Sequence, residues 1–341
     1  MPGNTGLKLT VVMKVFIARV IPEAGLQLLR EAGIEITQWT EKRDLTPQEL
    51  MDNCKDADAL LSAGSNKIDK DFLTASSHLK VISLHSVGYD RVDVSAATAL
   101  GIPVGNTPGV LSDATADIAF LLILATSRKA FYMHKTILRG EWNFFDPTAN
   151  LGIEIRGKTL GIFGLGKIGF ELAKCCAAAF QMKIIYHNRS RNAAAEKELS
   201  ARWVSFEELL RQSDILSVNT ALTPETKGKF NREAFAKMKP TALFINTARG
   251  SIHNEPDLIE ALQNKVIWGA GLDVTDPEPM HPDNPLLQMP NVAVLPHIGS
   301  ATVETRNAMA VIAAKNIIAG LRGERLVSVV NPEVYGGVDS E

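Results

Sequence analysis

Residues 159–180 have the sequence TLGIFGLGKIGFELAKCCAAAF, in which a short apolar run is followed by three glycines and then by helical spacing. The glycines form the pattern G-x-G-x-x-G between a predicted strand and a predicted helix. The first permits a tight turn, the second lets the backbone approach a pyrophosphate, and the third allows the helix to pack closely on the strand. The phosphate would lie over the helix N-terminus. A purely structural glycine turn is the alternative. The predicted cofactor contacts of this turn are Gly164, Leu165, Gly166, Lys167, Ile168 and Gly169.

The second predicted strand ends in IIYHNRSR, residues 184–191, without the acidic residue that commonly holds the ribose 2′-hydroxyl of NAD. The chain has no carboxylate between Glu171 and Glu196. A carboxylate would repel a 2′-phosphate, whereas guanidinium groups bind phosphate in bidentate fashion. NADP(H) is therefore the preferred cofactor, with NAD(H) possible, although a solvated basic turn is the alternative interpretation. The predicted contacts are Asn188, Arg189, Ser190 and Arg191.

Length and composition indicate a two-domain protein that does not bind nucleic acid. The chain has 341 residues, of which 45% are hydrophobic and 22% charged, with a formal net charge of −2. Nucleic-acid-binding proteins normally show a basic face or a high isoelectric point. The most apolar segment, IAFLLILATS, is much shorter than the roughly 20 residues that a membrane span needs. We therefore expect no membrane association.

The three cysteines, Cys54, Cys175 and Cys176, show no spacing typical of a metal site or a disulfide framework. Free thiols indicate a reducing compartment, so we expect a cytoplasmic protein without a metal. Residues 1–12 precede the first clear strand and lack the features of a signal peptide. They are interpreted as an N-terminal extension.

Short apolar runs alternate with helical segments along most of the chain, which predicts parallel sheets covered on both faces. In the first half, a helix over residues 22–33 ends at Gly33, and Thr46 with Glu49 is typical of a capped helix start. Residues Asp113–Ala130 form a long apolar helix that joins two domains or lies in an interface. A second alternation begins at residue 159, so the fold class is α/β with two similar halves.

Three residues near predicted strand ends have side chains suited to acid–base chemistry. Arg249 lies in INTARG, Glu278 in DVTDPEP and His297 in LPHIGS. A carboxylate beside a histidine favours the imidazolium and so makes a proton donor, and an arginine can bind a carboxylate and polarise a carbonyl. Together they could assist hydride delivery to a 2-oxo acid. Taken individually, each has a structural explanation. His297 would be a hydrogen-bonded core residue, Glu278 a loop charge, and Arg249 part of a structural ion pair.

Several of these segments together resemble one enzyme family. NTPGVLSDATADIAF, GLGKIG, LTPETKG, FINTARG, GLDVTDPEP and PHIGSAT follow one another with the order and spacing of the D-isomer-specific 2-hydroxyacid dehydrogenases. The resemblance extends from about Val87 to Gly323. Within that family, PHIGSATVETRNAM followed by AGLRGE is most similar to the glyoxylate/hydroxypyruvate reductases.

The resemblance implies two Rossmann-like domains with parallel sheets. Residues 13–111 with 303–335 would form a discontinuous substrate domain, and residues 112–302 the dinucleotide-binding domain. Arg249 would bind and polarise the substrate, His297 would be the general acid, and Glu278 would keep it oriented and protonated.

The resemblance also assigns binding residues. The backbone amides of Val87 and Gly88 would bind the substrate carboxylate, and Trp142 would reach the active site of a partner subunit, as in a homodimer. Asn219 and Ala221 depart from the His-x-Pro that many relatives have before LTPET. Further cofactor contacts would be Thr115, Leu222, Pro224, Thr247, Asp273, His297 and Gly299.

These observations predict NADPH-dependent reduction of small 2-oxo acids, glyoxylate or hydroxypyruvate, by hydride transfer. A 2-ketogluconate reductase is an alternative within the same enzyme class, and a phosphoglycerate dehydrogenase is disfavoured by the lack of a long regulatory extension. A dinucleotide-sensing binding protein similar to the C-terminal-binding-protein corepressors is the alternative from a different class.

Overall fold

The computed structural model describes residues 12–336, so residues 1–11 of the predicted N-terminal extension lie outside the described chain. Within that part, the chain forms two compact units. One comprises residues 12–110 with 302–336, and the other comprises residues 111–301.

The first unit is built on a five-stranded parallel sheet in the described chain. Its elements before residue 111 are β1 (Lys14–Ile17), α1 (Glu23–Glu31), β2 (Glu35–Gln38), α2 (Pro47–Cys54), β3 (Ala59–Ser62), α3 (Lys70–Ala75), β4 (Val81–Leu84), α4 (Val94–Ala99) and β5 (Val104–Gly105). The strand order is β2-β1-β3-β4-β5. Strands β1, β3 and β4 are short apolar runs that are buried almost completely, as expected for a parallel sheet covered on both faces.

Two helix boundaries predicted from the sequence are confirmed. Helix α1 is followed by Gly33 at a φ of 73°, a conformation that glycine adopts readily. At α2, the Thr46 side chain accepts from the backbone N–H of Glu49, and the Glu49 carboxylate accepts from the backbone N–H of Thr46. This capping box satisfies backbone N–H groups that a helix start leaves unpaired.

The second unit contains a seven-stranded parallel sheet in the described chain. Its elements are α5 (Ser112–Ser127), α6 (Ala130–Leu138), β6 (Thr159–Phe163), α7 (Lys167–Phe180), β7 (Lys183–His187), α8 (Ala193–Leu199), β8 (Arg202–Trp203), α9 (Phe206–Gln212), β9 (Ile215–Val218), α10 (Arg232–Ala236), β10 (Leu243–Asn246), α11 (Glu255–Gln263), β11 (Gly269–Leu272) and β12 (Val292–Val294). The strand order is β12-β11-β10-β9-β6-β7-β8.

The order of these strands determines which loops become neighbours. Because β10, β11 and β12 are adjacent and parallel, the loops that follow their carboxyl ends lie side by side. Strand β6 lies between β7 and β9, so the chain order reverses beside the end of β6. Ligands of doubly wound sheets bind at such reversals, outside the carboxyl ends of the strands.

The last helix returns the chain to the first unit. Helix α12 (Val303–Leu321) packs against α1 and β4. A Cβ added at Gly25 of α1 would lie 2.8 Å from the carbonyl oxygen of Ala310, so the two helices approach closely. The first unit is therefore discontinuous and contains both ends of the described chain.

One predicted helix differs in extent. The helix expected over residues Asp113–Ala130 ends at Ser127, and Lys129 adopts a φ of 56° before α6 begins. The break at Ser127-Arg128-Lys129 contains neither glycine nor proline, so the sequence carried no signal for a left-handed residue there. Helix α5 itself is buried as expected and packs against α7, β10 and β11.

The α/β class, the parallel sheets and the discontinuous unit predicted from the sequence are confirmed. None of the helices in residues 12–336 is long and apolar enough to span a membrane.

Candidate active site

The three glycines after β6 have three different surroundings. Gly164 has a φ of 98°, and a Cβ there would lie 2.8 Å from the backbone nitrogen of Thr220. A Cβ at Gly169 would lie 2.9 Å from the carbonyl oxygen of Gly164 and 3.0 Å from Ile162, so helix α7 packs directly on its strand. At Gly166, by contrast, an added Cβ would have no atom within 4 Å except those of its neighbours in the chain. The turn therefore leaves open space at the start of a 14-residue helix, where backbone N–H groups can bind phosphate.

The loop after β7 is attached to this glycine-rich turn by side-chain amides. Asn188 Oδ1 accepts from the backbone nitrogen of Leu165 at 2.7 Å, and its Nδ2 donates to the Leu165 carbonyl oxygen at 3.2 Å. Asn192 Nδ2 donates to the same carbonyl oxygen at 3.0 Å. The two loops that would meet the dinucleotide are thus held together by the protein itself.

Arg191 makes an ion pair inside this loop. Its guanidinium donates to both carboxylate oxygens of Glu196 on α8, at 2.9 and 2.7 Å. The hydroxyl of Tyr186 donates to Glu196 at 2.5 Å and accepts from the backbone nitrogen of Asn192 at 2.7 Å. Hydrogen bonds from Arg191 and Tyr186 hold the pKa of Glu196 below its ordinary value. An acidic residue therefore does lie beside the basic loop, paired with one of its two arginines.

Arg189 and Ser190 are exposed at the tip of the same loop. A hydrogen bond from the Thr223 hydroxyl and one from the Glu225 backbone N–H lower the pKa of Glu225, and the positive charge of Arg189 adds to this effect. The charge of Arg189 is therefore close enough to act on Glu225, the residue that directly follows Pro224.

The loops after β11 and β12 bring Glu278 and His297 together, although 19 residues separate them in the sequence. Nδ1 of His297 lies 3.0 Å from Oε2 of Glu278. Oε1 of Glu278 accepts from the backbone nitrogen of Thr275 at 3.1 Å. Burial raises the pKa of Glu278, but the hydrogen bond and charge of His297, together with the Thr275 hydrogen bond and the charge of Arg249, bring it below its ordinary value. An ionised Glu278 can only accept, so Nδ1 of His297 is the donor in this contact.

Asp273 holds the loop that carries His297. Its carboxylate accepts from the backbone nitrogens of Ile298 and Gly299 at 2.8 and 2.7 Å. Burial raises the pKa of Asp273, and these two hydrogen bonds oppose only part of that effect. A Cβ at Gly299 would lie 3.1 Å from Asp273 and 3.2 Å from Thr115, so these three predicted cofactor contacts are neighbours.

Arg249 follows β10 in a turn that is fastened by Asn246. Asn246 Oδ1 accepts from the backbone nitrogen of Ala248 at 3.0 Å, and its Nδ2 donates to the carbonyl oxygen of Arg249 at 2.9 Å. The positive charge of Arg249 also lowers the pKa of Glu278, although less than His297 and Thr275 do. Thr247, in the same turn, is buried and accepts from Asn219 Nδ2 at 3.3 Å.

The remaining predicted site residues lie elsewhere. Val87 and Gly88 belong to the first unit, in the loop after β4, where their carbonyl oxygens accept from Asn106 and Ser86. Trp142 belongs to the second unit and exposes 71% of its surface. Within residues 12–336, no group of three or more histidines, cysteines or acidic residues is arranged to hold a metal ion.

Comparison with known proteins assigns the family. Residues 120–299 match the family model described as "D-isomer specific 2-hydroxyacid dehydrogenase, NAD binding domain". The chain belongs to the D-isomer specific 2-hydroxyacid dehydrogenase family. It is therefore an NAD(P)-dependent oxidoreductase, and the resemblance inferred from the sequence is confirmed.

The similarity to members of this family covers nearly the whole chain. The glyoxylate reductase of Pyrococcus furiosus is 44% identical over 325 residues, which cover 94% of this chain and 96% of that protein. The glyoxylate reductase of Aeropyrum pernix is 42% identical over 326 residues, with the same coverage of both chains. The solved structure of the NADPH-dependent glyoxylate/hydroxypyruvate reductase of Sinorhizobium meliloti, in complex with NADP and malonate, matches with a TM-score of 0.81 and 32% identity. That match covers 94% of this chain and 98% of that one.

Two features of this dehydrogenase were missed by the sequence analysis. The first is Glu196, whose only signal is its position five residues after Arg191 and just behind a capping Asn192. The second is the Asn246 amide, which could have been suspected from a polar residue at the end of an otherwise apolar buried strand.

Proposed function

We propose that this protein reduces small 2-oxo acids, glyoxylate or hydroxypyruvate, to 2-hydroxy acids with NADPH as the preferred cofactor. The observation that carries the proposal is the 3.0 Å contact between His297 and Glu278, with the charge of Arg249 close enough to act on Glu278. The names of the most similar relatives support the same substrate class.

The glycine-rich turn fits a dinucleotide. The open space at Gly166 would receive the pyrophosphate, and the N-terminus of α7 would stabilise its charge. Thr115, Thr247 and Asp273 would line the nicotinamide. When bound, the reduced cofactor supplies a hydride to C2 of the 2-oxo acid.

The residues of the chain would supply the proton and stabilise the charge. His297 Nε2 would donate a proton to the carbonyl oxygen as C2 accepts the hydride, which gives the hydroxyl of the product. The ionised Glu278 would stabilise the imidazolium and fix the ring through Nδ1. Arg249 would bind the substrate and stabilise the negative charge that develops on oxygen. Oxidation of the 2-hydroxy acid needs a neutral His297, so it should be favoured at higher pH than reduction.

The test is an NADPH-oxidation assay with glyoxylate, hydroxypyruvate and 2-ketogluconate. We expect the highest kcat/KM with one of the first two acids. A clear preference for 2-ketogluconate would assign the alternative reductase. Tight NADPH binding without turnover of any 2-oxo acid would contradict the proposal and favour a binding module.

The cofactor preference is proposed to depend mainly on Arg189. Arg191 is already paired with Glu196, whereas Arg189 is exposed and its charge acts on Glu225. We expect Arg189→Ala to raise the KM for NADPH by about tenfold to a hundredfold, as for a lost charge-assisted hydrogen bond, with a smaller effect for Arg191→Ala. The KM for NADH should change little in either variant. Equal changes in the two KM values would contradict binding of the 2′-phosphate.

A homodimer is proposed from an exposed apolar segment. Trp142, Phe144 and Phe145 expose 71%, 75% and 86% of their surfaces, and monomeric proteins rarely show such clusters. Trp142 would reach the active site of the partner. Analytical ultracentrifugation should show a dimer that weakens in the Phe145→Asp variant, and a monomeric wild-type protein would contradict this proposal.

A further inference from the structure

His253 is a buried histidine close to the Arg249 turn, with no role in the proposed chemistry. It follows the short 3-10 helix Gly250–Ile252 and exposes only 2% of its surface. Its ring packs edge-on against Phe244, with 5.7 Å between the ring centroids. Nδ1 of His253 lies 3.1 Å from Nδ2 of Asn246.

The hydrogen bonds of Asn246 determine the proton positions in this contact. Its Oδ1 accepts from the backbone nitrogen of Ala248, and its Nδ2 donates to the carbonyl oxygen of Arg249. Reversing the amide would set a donor against a donor and an acceptor against an acceptor, so its orientation is unambiguous. The second hydrogen of Nδ2 therefore points at His253.

His253 must consequently accept through Nδ1 and carry its single proton on Nε2. Burial lowers the pKa of His253 to about 4, so the imidazole is neutral at physiological pH. Nε2 has no hydrogen-bond partner in the described part of the chain. The ring thus serves one polar contact only, the one to Asn246.

The Arg249 turn also has little room to move. A Cβ at Gly250 would collide with the carbonyl group of Thr275, so the turn packs against the backbone of the neighbouring loop. The backbone nitrogen of Thr275 in turn donates to Glu278. A displacement of the Arg249 turn would therefore be transmitted to the loop that holds Glu278.

We propose that His253 is a positioning residue for Arg249, which acts by holding the Asn246 amide that fastens the Arg249 turn. The inference rests on the proposed function, in which Arg249 binds the 2-oxo acid. His253 touches neither substrate nor cofactor in this scheme.

The test compares two substitutions of similar size. His253→Leu fills the space without an acceptor. His253→Asn keeps an acceptor, because its Oδ1 is bonded to Cγ in the same way as Nδ1 of the histidine. We expect His253→Leu to raise the KM for glyoxylate by roughly fivefold to tenfold, as for one lost buried hydrogen bond, with the KM for NADPH within about twofold. His253→Asn should restore most of the loss. If His253 only supported the fold, His253→Leu would raise the KM for glyoxylate and the KM for NADPH by similar factors, or would lower only the melting temperature.

Arg249→Lys, measured in parallel, separates the two proposals. If Arg249→Lys kept the wild-type KM for glyoxylate, the proposed function would be wrong. If Arg249→Lys raised that KM but His253→Leu did not, only the positioning role would be overturned. If His253→Leu fails to fold, the nitrogen-15 NMR spectrum of the wild-type protein with labelled histidine tests which ring nitrogen of His253 carries the proton. Nδ1 of His253 should be unprotonated near neutral pH, and a protonated Nδ1 would overturn the inference.

Discussion

His297 adopts a φ of 54°, in the left-handed region that residues other than glycine seldom occupy. Strained conformations of this kind persist where the surrounding structure holds them, and they cluster at functional sites. Asp273 supplies that restraint, because it accepts from the two backbone nitrogens that directly follow His297. At the scale of the residue, the proposed acid is thus fixed twice, through its ring by Glu278 and through its backbone by Asp273.

We expect His297→Ala to lower kcat for reduction of glyoxylate by ~10²–10⁴-fold, the range typical of a lost general acid. His281→Ala is the matched control, since His281 is exposed and has no part in the proposed site. Its Nδ1 lies 3.7 Å from Oδ2 of Asp283. Steady-state kinetics near pH 7 measures both. Near-wild-type turnover in His297→Ala would rule out its role as the acid.

The turn between β6 and α7 is the element proposed to bind the dinucleotide. Its glycines serve separate needs, because Gly169 has backbone and side-chain atoms against it while Gly166 faces open space. The same element is joined to the next strand through the Leu165–Asn188 contacts. A substitution in the turn can therefore affect folding, binding or both, according to which glycine is replaced.

Alanine substitutions at these two glycines should separate folding from binding. Gly169→Ala should destabilise the protein by about 1–3 kcal/mol, because the added methyl group forces α7 away from β6. Gly166→Ala should leave the melting temperature unchanged but raise the Kd for NADPH by about tenfold or more, because the methyl group enters the space for the pyrophosphate. Thermal unfolding and cofactor titration measure the two effects. Loss of stability without loss of binding in Gly166→Ala would contradict this division.

At the scale of the whole molecule, each unit buries one neutral histidine. Burial lowers the pKa of His85 in the first unit to about 4, with a smaller contribution from Arg306, and burial alone lowers the pKa of His253 in the second unit to about 4. Between this value and the ordinary value of 6.5, the unfolded chain binds more protons than the folded chain. Stability must therefore rise with pH across this window and fall on acidification.

We expect acidification from about pH 7 to about pH 5 to lower the free energy of unfolding by about 2 kcal/mol for each of these histidines. Urea unfolding at the two pH values tests this in the wild type and in the His85→Asn and His253→Asn variants. In each variant, the decrease in the free energy of unfolding between the two pH values should be smaller by about 2 kcal/mol than in the wild type. In His281→Asn it should equal that of the wild type. An unchanged pH dependence in the double variant His85→Asn/His253→Asn would contradict the assignment.

The sequence alone determined the features that depend on local chemistry. The parallel strands are short apolar runs, Thr46 with Glu49 forms a capping box, and the glycine spacing in residues 164–169 predicts the turn. Each of these is decided by a few consecutive residues and their backbone requirements, so a pattern in the sequence suffices. The family was recognisable for a related reason, since its motifs keep their order and spacing along the chain.

The pairing of residues from different loops followed from the three-dimensional fold. The strand order β12-β11-β10 brings Glu278 to His297 across 19 residues, and helix α8 turns Glu196 back onto Arg191. The contact of His253 with Asn246 likewise depends on a buried arrangement that the isolated histidine does not reveal. Such contacts depend on distances and on the competition among partners, which a linear pattern does not contain. They set the ionisation of Glu278, the ion pair of Arg191 with Glu196, and the hydrogen bonds of Asn246 in the Arg249 turn.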